Sequence, residues 1–424
     1  MFANICYTTN NDLYLQCNIN NNRHKKFHIM KLKHLSALFA VCLMFMLISC
    51  TDSDSSSQKI ISVTADEAEA STGENTFAYN LFNTFVSSGS EKENIVISPI
   101  GLYQYLSIIS NGADESSKTD FLNVLKCNNI NTLNSLNSKL SVNLNKLDRQ
   151  VTFNLANSLW IDKEFSVNTN YIDCINKSYN VDIKRVLLNS EDAKNAINEW
   201  CSNKTNGLIK ILLSDRLSTN TIYLCNATYF NGKWKNPFDA EKTIKGSFFN
   251  YDGTESRVFL MNQVLEVELA KNKLYTAIKL PYGNGSFEMT AILPNDNVLI
   301  DDCVSELREI ESESFGKREI YLQFPKFNVE YNTKGDLTKC LDILGLNLSN
   351  VNTSQISEIE KLSFAPQQQT IIKVDESGTE VASVTMDGYI ANIPEIISFN
   401  KPFAYTIKEK STNVILYIGV INKL

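Results

Sequence analysis

Apolar residues recur at helical spacing through Glu74–Val86, where Phe77, Leu81, Phe82 and Phe85 share one face, so this segment predicts an amphipathic helix. The run Asn94–Asn111 is apolar almost all round. Ser98-Pro99 suits a helix start with proline in the first turn, and the unbroken apolarity predicts a central, buried helix. Residues 151–161 (VTFNLANSLWI) read as a buried strand and 178–188 as a second, shorter one. A helix opens at Ser190, carries acids in its first turn and stops at Gly207. TIYLCNATYFNGKW (221–234) is a long strand with a glycine break, and residues 274–294 form a hairpin around Gly283-Asn284-Gly285. Residues 318–332 read as a strand pair or bent strand, Thr338–Gly345 as a short helix, and the chain is strand-like after residue 368. There is no internal repeat and no βαβ regularity, which predicts an α+β fold with large sheets.

A different pattern occupies the N-terminus. Lys31 and Lys33 precede an apolar run from Leu35 to Ser49, too short for a bilayer span of roughly 20 residues but suited to a signal peptide. It ends in Leu47-Ile48-Ser49-Cys50, which resembles the lipobox of bacterial lipoproteins. The resemblance implies cleavage before Cys50, a lipid on its thiol, and a protein held on a membrane of the cell envelope, facing the periplasm or the cell surface. An uncleaved anchor or an ordinary secretory signal are the alternatives. Met30 makes a better start than Met1, so residues 1–29 are expected to be dispensable. Residues 30–49 are then the signal peptide, 50–73 a flexible polar tether, and 74–424 one domain.

Composition narrows the function. The chain has 424 residues and a net charge of -7. From Cys50 onward it carries 35 basic and 46 acidic side chains, a net charge of -11 that makes nucleic acid an unsuitable partner. All three histidines (His24, His28, His34) lie upstream of Cys50. Cleavage would leave no histidine for a Ser-His-Asp or Cys-His constellation or a histidine-based zinc site, so no enzyme, metal or cofactor is expected. Cys127, Cys174, Cys201, Cys225, Cys303 and Cys340 are widely spaced; burial as small apolar residues and disulfide pairing are both open.

Several blocks occur in a family-specific order: Asn94-Ile95-Val96-Ile97-Ser98-Pro99, Gly112-Ala113, Ile197-Asn198-Glu199-Trp200, Thr205-Asn206-Gly207, Asn226 through Trp234 (NATYFNGKW), Phe324-Pro325-Lys326-Phe327, Glu376-Ser377-Gly378-Thr379-Glu380 and Phe399-Asn400-Lys401-Pro402-Phe403. Together they resemble the serpins, over roughly residues 74–424. The resemblance implies a large central mixed sheet, two further sheets, about eight to nine helices and an exposed C-terminal reactive loop, here about 376–397. It places Ser98, Asn226 and Gln368 in a polar cluster under the point where the main sheet opens, and Trp234 near the top of that opening. Gly101 replaces a usual serine, and Gln368 stands where many animal members have histidine.

The implied function is inhibition of a secreted or host serine protease by a monomer. The loop is cleaved to an acyl-enzyme and inserts into the central sheet, trapping the protease covalently. The hinge would comprise Glu376, Gly378, Thr379, Val381, Ala382, Ser383, Val384 and Thr385; those after Gly378 are small or β-branched and suit a sheet interior. Asp387, in the inward register, is the weak point because a buried carboxylate is costly. Family spacing puts the cut at Asn392-Ile393 counted from Gly378, or at Ala391-Asn392 counted from Phe399. No Lys or Arg lies between Glu376 and Asn400, which favours an elastase-like target with a small apolar pocket. Tyr389 would suit a chymotrypsin-like pocket, and papain-like or subtilisin-like enzymes are open. A non-inhibitory binding or storage role is the alternative.

Overall fold

The computed structural model describes residues 4–7, 13–16, 58–88, 93–218, 221–333, 335–358, 362–364, 366–378 and 394–424. Cys50 and the hinge and reactive-bond positions from Thr379 to Ile393 lie outside the described residues. The chain divides into two units, Met1–Ser57 and Gln58–Leu424. The first contains an antiparallel pair, β1 (Asn4–Tyr7) and β2 (Leu13–Gln16).

The second unit begins earlier than the sequence suggests. Helix α1 spans Ala65–Ser88, so part of the stretch expected as a tether is helical. The signal is a capping box. Thr64 N donates to Glu67 Oε2 (2.7 Å) and Glu67 N donates to Thr64 Oγ1 (3.3 Å), which satisfies two orphan donors at the helix start. Glu67 also meets Lys139 at 2.6 Å, and Ile61 is buried with its N–H on Ser411 Oγ. Burial raises the Glu67 pKa, but Lys139, Ser135 and the Thr64 amide outweigh it and lower it to about 2.

Strand β3 (Ile95–Ile97) leads into α2 (Pro99–Ser110), in which every residue is buried, as the all-round apolar pattern predicts. Helices α3 (Glu115–Leu125) and α4 (Ile130–Asn143) follow, capped by Asp114 and Asn129. Then come β4 (Val151–Asp162), α5 (Thr169–Tyr179), β5 (Val181–Val186), α6 (Glu191–Lys204) and β6 (Ile222–Gly232). Ser190 caps α6 through Ala193 N. A β-rich stretch comprises β7 (Ile244–Phe249), β8 (Glu255–Lys271) and the hairpin β9 (Tyr275–Tyr282) and β10 (Phe287–Pro294). After α7 (Ile300–Ser305) and α8 (Leu307–Ser312), strands β11 (Gly316–Pro325) and β12 (Phe327–Asn332) flank Lys326 but enter different sheets. The chain closes with α9 (Asp336–Ile343), β13 (Gln369–Val374), β14 (Glu395–Ser398), β15 (Phe403–Glu409) and β16 (Ile415–Ile421).

Long β8 pairs successively with β7, β11 and β9 and so joins strands into a nine-stranded sheet, ordered β14-β11-β8-β9-β10-β15-β16-β3 with β7 beside β8. Strands β15 and β16 are buried at every position. Two smaller groups complete the unit: β5-β4-β6, with parallel and antiparallel neighbours, and the antiparallel pair β12-β13. All six body cysteines are unpaired thiols, and all but Cys174 are buried.

Candidate functional site

Strands β6 and β13 run side by side in the same direction. Tyr223–Asn226 and Pro366–Gln368 line one small cavity at the lower end, and Lys233-Trp234 meets Asp375–Gly378 at the upper end. Among the described residues no ladder joins the two strands between those ends. The seam is therefore fastened at the top and open below.

The upper fastening is a clasp. Trp234 N donates to Ser377 O (2.8 Å), Phe238 N to Glu376 O (2.8 Å), and the Trp234 indole Nε1 to Asp375 O (3.0 Å). The indole is 3% exposed and stacks on Tyr282 with centroids 4.4 Å apart at 14°. Glu376 binds Lys326 Nζ at 2.7 Å and accepts from Thr243 Oγ1 at 2.8 Å. Partial burial raises the Glu376 pKa, but Lys326, a backbone amide and Thr243 together hold it below the usual glutamate value.

Gly378 completes the clasp. Asp375 N donates to Gly378 O and Gly378 N to Asp375 O, both at 3.1 Å, so the chain reverses in a tight turn. The turn is pinned by Asp375 Oδ1, which accepts from Ser377 N and Oγ. Gly378 is also bridged to Lys233. Its two antiparallel bridges, to Lys233 and Asp375, thus seat it between the upper ends of the two strands. Its φ is +113°, and a Cβ there would lie 2.3 Å from Gly232 O and 2.4 Å from Trp234 N. Only glycine fits without displacing backbone.

The lower end is built from amides. Gln368 Oε1 accepts from Ser98 N (2.7 Å) while Gln368 Nε2 donates to Ser98 O (2.9 Å). Ser98 Oγ donates to Leu416 O and is not a helix cap. Asn226 bonds elsewhere: its Nδ2 donates to Asn157 Oδ1 on β4 (2.8 Å), and Asn157 donates to Gln104 on α2 (2.7 Å). The expected cluster of Ser98, Asn226 and Gln368 is thus two networks, one holding β13 to the start of α2 and one holding β6 to β4 and α2. Gly101 lies under Asn226, where a Cβ would stand 2.3 Å from Oδ1, so a small residue suits this position.

Sequence reasoning missed Lys326, Thr243, Asp375 and Tyr282 at the clasp, and Asn157 and Gln104 below. Lys326 and Asp375 stand in or beside the quoted blocks, and a basic residue in one against Glu376 in the other was a usable signal.

The family model for Serpin (serine protease inhibitor) matches residues 72–424. The chain belongs to the serpin family. It is 26% identical over 371 residues to a serpin-like protein of Methanosarcina mazei, covering 82% of this chain and 85% of the relative. The structure is similar to the native state of tengpin, a thermophilic serpin, with a TM-score of 0.75 and 25% identity over 87% of this chain and 96% of that one. It shares its fold with human thyroxine-binding globulin, with a TM-score of 0.75 and 24% identity over 85% of this chain and 99% of that one. The α+β serpin fold expected from the sequence is the one observed. Serpins are in general protease inhibitors rather than enzymes, and some members are non-inhibitory.

Proposed function

We propose that this serpin inhibits serine endopeptidases by a suicide-substrate mechanism: the segment beyond Gly378 is cleaved to an acyl-enzyme and then inserts between β6 and β13, trapping the protease. The observation that carries this reading is the seam itself: two parallel strands that, among the described residues, share backbone bonds at the top alone, with Gly378 bridged antiparallel to both sides there.

Continuing the two bridges of Gly378 down the seam gives a register. Thr379 would face Gly232 and Val374, Val381 would face Phe230 and Ile372, and Ser383 would face Thr228 and Thr370. Thr385 would arrive between Asn226 and Gln368, where its hydroxyl finds amide partners. Insertion completes a ladder on both sides and adds buried side chains. The native fold is then a kinetically trapped state that releases free energy on cleavage.

The absence of Lys and Arg from Glu376 to Asn400 supports a target with a small apolar pocket, elastase-like, cleaving at Ala391-Asn392 or Asn392-Ile393. The lipobox-like Leu47–Cys50 supports a lipid anchor that keeps the inhibitor on a bacterial envelope membrane. Its test is loss of membrane partitioning in Cys50→Ser.

Mixing the protein with an elastase-like protease should give an SDS-stable 1:1 complex, and mass spectrometry of the released peptide should place the cut. Thr379→Arg should convert inhibitor to substrate, because a charge would have to enter the seam first. Release of fully active protease with a cleaved loop, across serine, papain-like and subtilisin-like enzymes, would sink the proposal. A non-inhibitory binding role has one residue in its favour. In the same register Asp387 would face Leu224 and Pro366, an apolar neighbour and one without an N–H. Loop cleavage with no rise in thermal stability is its signature.

A further inference from the structure

Strands β4 and β6 carry two kinds of surface on the side covered by α6. Over the lower rungs Trp160 faces Tyr223 and Ala156 faces Ala227, and this part packs against Ile197 and Trp200 of α6. The next rungs are polar: Asn154 faces Tyr229, Thr152 faces Asn231, and Lys233 N donates to Gln150 O. Helix α6 has ended at Lys204 by this point, and the chain leaves through Asn206 and Gly207, both at positive φ. A cleft of about 470 Å³ is left above the helix end, bounded also by Arg149 and Asn203.

Two cations, five carboxamides, a phenol and a threonine line this cleft, with no carboxylate, in a chain of net charge -7. The Tyr229 hydroxyl accepts from Asn206 Nδ2 (3.4 Å) and Asn231 Nδ2 (3.2 Å), so two of the amides are held in place before any ligand arrives. Asn154 is oriented by its bond to Lys204 O (3.3 Å). Carboxamides offer a donor and an acceptor side by side, which matches the vicinal hydroxyls of a sugar. A guanidinium and an ammonium on the rim match one carboxylate or sulfate.

We infer that this cleft binds a small sugar acid, a polyhydroxylated ring of one or two units carrying a carboxylate or sulfate. The acidic remainder of the chain disfavours a long polyanion. The site is independent of the inhibitory reading, since it lies on the α6 face of β4 and β6 and uses none of the side chains that fasten the seam.

Calorimetric titration of the intact protein with glucuronate, N-acetylglucosamine 6-sulfate, glucose and sodium sulfate tests this. At least one anionic sugar should bind 1:1, with glucose and sodium sulfate weaker by about tenfold or more. Arg149→Ala and Asn231→Ala should each weaken that binding by about fivefold or more without changing the thermal midpoint. Exposed Asn203→Ala serves if either variant folds poorly. No binding of either anionic sugar overturns the inference. So does inorganic sulfate binding as tightly as the sulfated sugar, or binding that ignores all three substitutions.

Discussion

The two ends of the seam between β6 and β13 are held by different physics. At the top, an indole, a turn and a glycine bind one strand directly to the other, with stacking and two backbone hydrogen bonds in one buried cluster. At the bottom, Asn226 and Gln368 each bond to groups on their own side or beneath, and among the described residues no hydrogen bond joins the two side chains. Resistance to opening is therefore concentrated above, while the lower seam is kept in shape by its floor, α2, and by α1 beneath it. A single amide substitution below should cost little. Loss of the clasp should release the strands.

Trp234→Ala should have the largest effect. It removes the Tyr282 stack and the bond to Asp375 O, so native stability should fall by about 3–5 kcal/mol in denaturant titration. Inhibitory capacity should decay faster on storage as the loop enters uncleaved. A variant that keeps wild-type stability would place the resistance elsewhere.

Gly378→Val comes next. The positive φ and the close approach of Gly232 O and Trp234 N should cost about 2–3 kcal/mol, read as a lower unfolding midpoint, and a wild-type midpoint would mean that the turn is not under constraint.

Acidity separates the two regions by sign. Glu376 at the clasp has a depressed pKa, so its contribution is present above the ordinary glutamate value and is lost as pH falls through the lowered one. Glu74, on α1 below the floor, is fully buried, and neither carboxyl oxygen has a hydrogen-bond partner among the described residues. Burial raises its pKa to about 8. Stability from its neutral form is complete below about 4.3 and is lost as pH rises toward 8, with a slope near 1.4 kcal/mol per pH unit. Tyr103 lies near it, with Cys127 near Tyr103, and both stay neutral across that window because burial raises both. Unfolding of Glu74→Gln should therefore lose this slope and gain stability at pH 8, whereas Glu376→Gln should lose its dependence in acid. An unchanged slope in Glu74→Gln would show that another group titrates there.

The smallest change is expected for Gly101→Ala. Its methyl group would push the Asn226 amide and weaken the bond to Asn157, costing about 1 kcal/mol in thermal unfolding and leaving the inhibition stoichiometry unchanged. A fall in inhibition as large as that of Trp234→Ala would erase the distinction between the two ends.

Much of this was legible in the chain. The all-round apolar run after Ser98 required a central helix, and Gly283-Asn284-Gly285 required the β9-β10 turn. The capping box at Thr64–Glu67 is equally local, but the acidic and alanine-rich residues around it obscure the start of α1 in the sequence. The clasp partners were less accessible. Trp234 and Asp375 are separated by 141 positions, and Ser98 and Gln368 by 270, so no local period links them.

The sequence by itself determined the family, through the order of its blocks, and the chemistry of the loop, through the absence of Lys and Arg and the small residues after Gly378. Those are properties of side chains in order along the chain. Tertiary structure decided which amide answers which, that Gln368 holds Ser98 rather than Asn226, and that the backbone bonds between the two strands lie, among the described residues, at the top of the seam. Amides are interchangeable as donors and acceptors, so their partners follow from how strands distant in sequence are packed together.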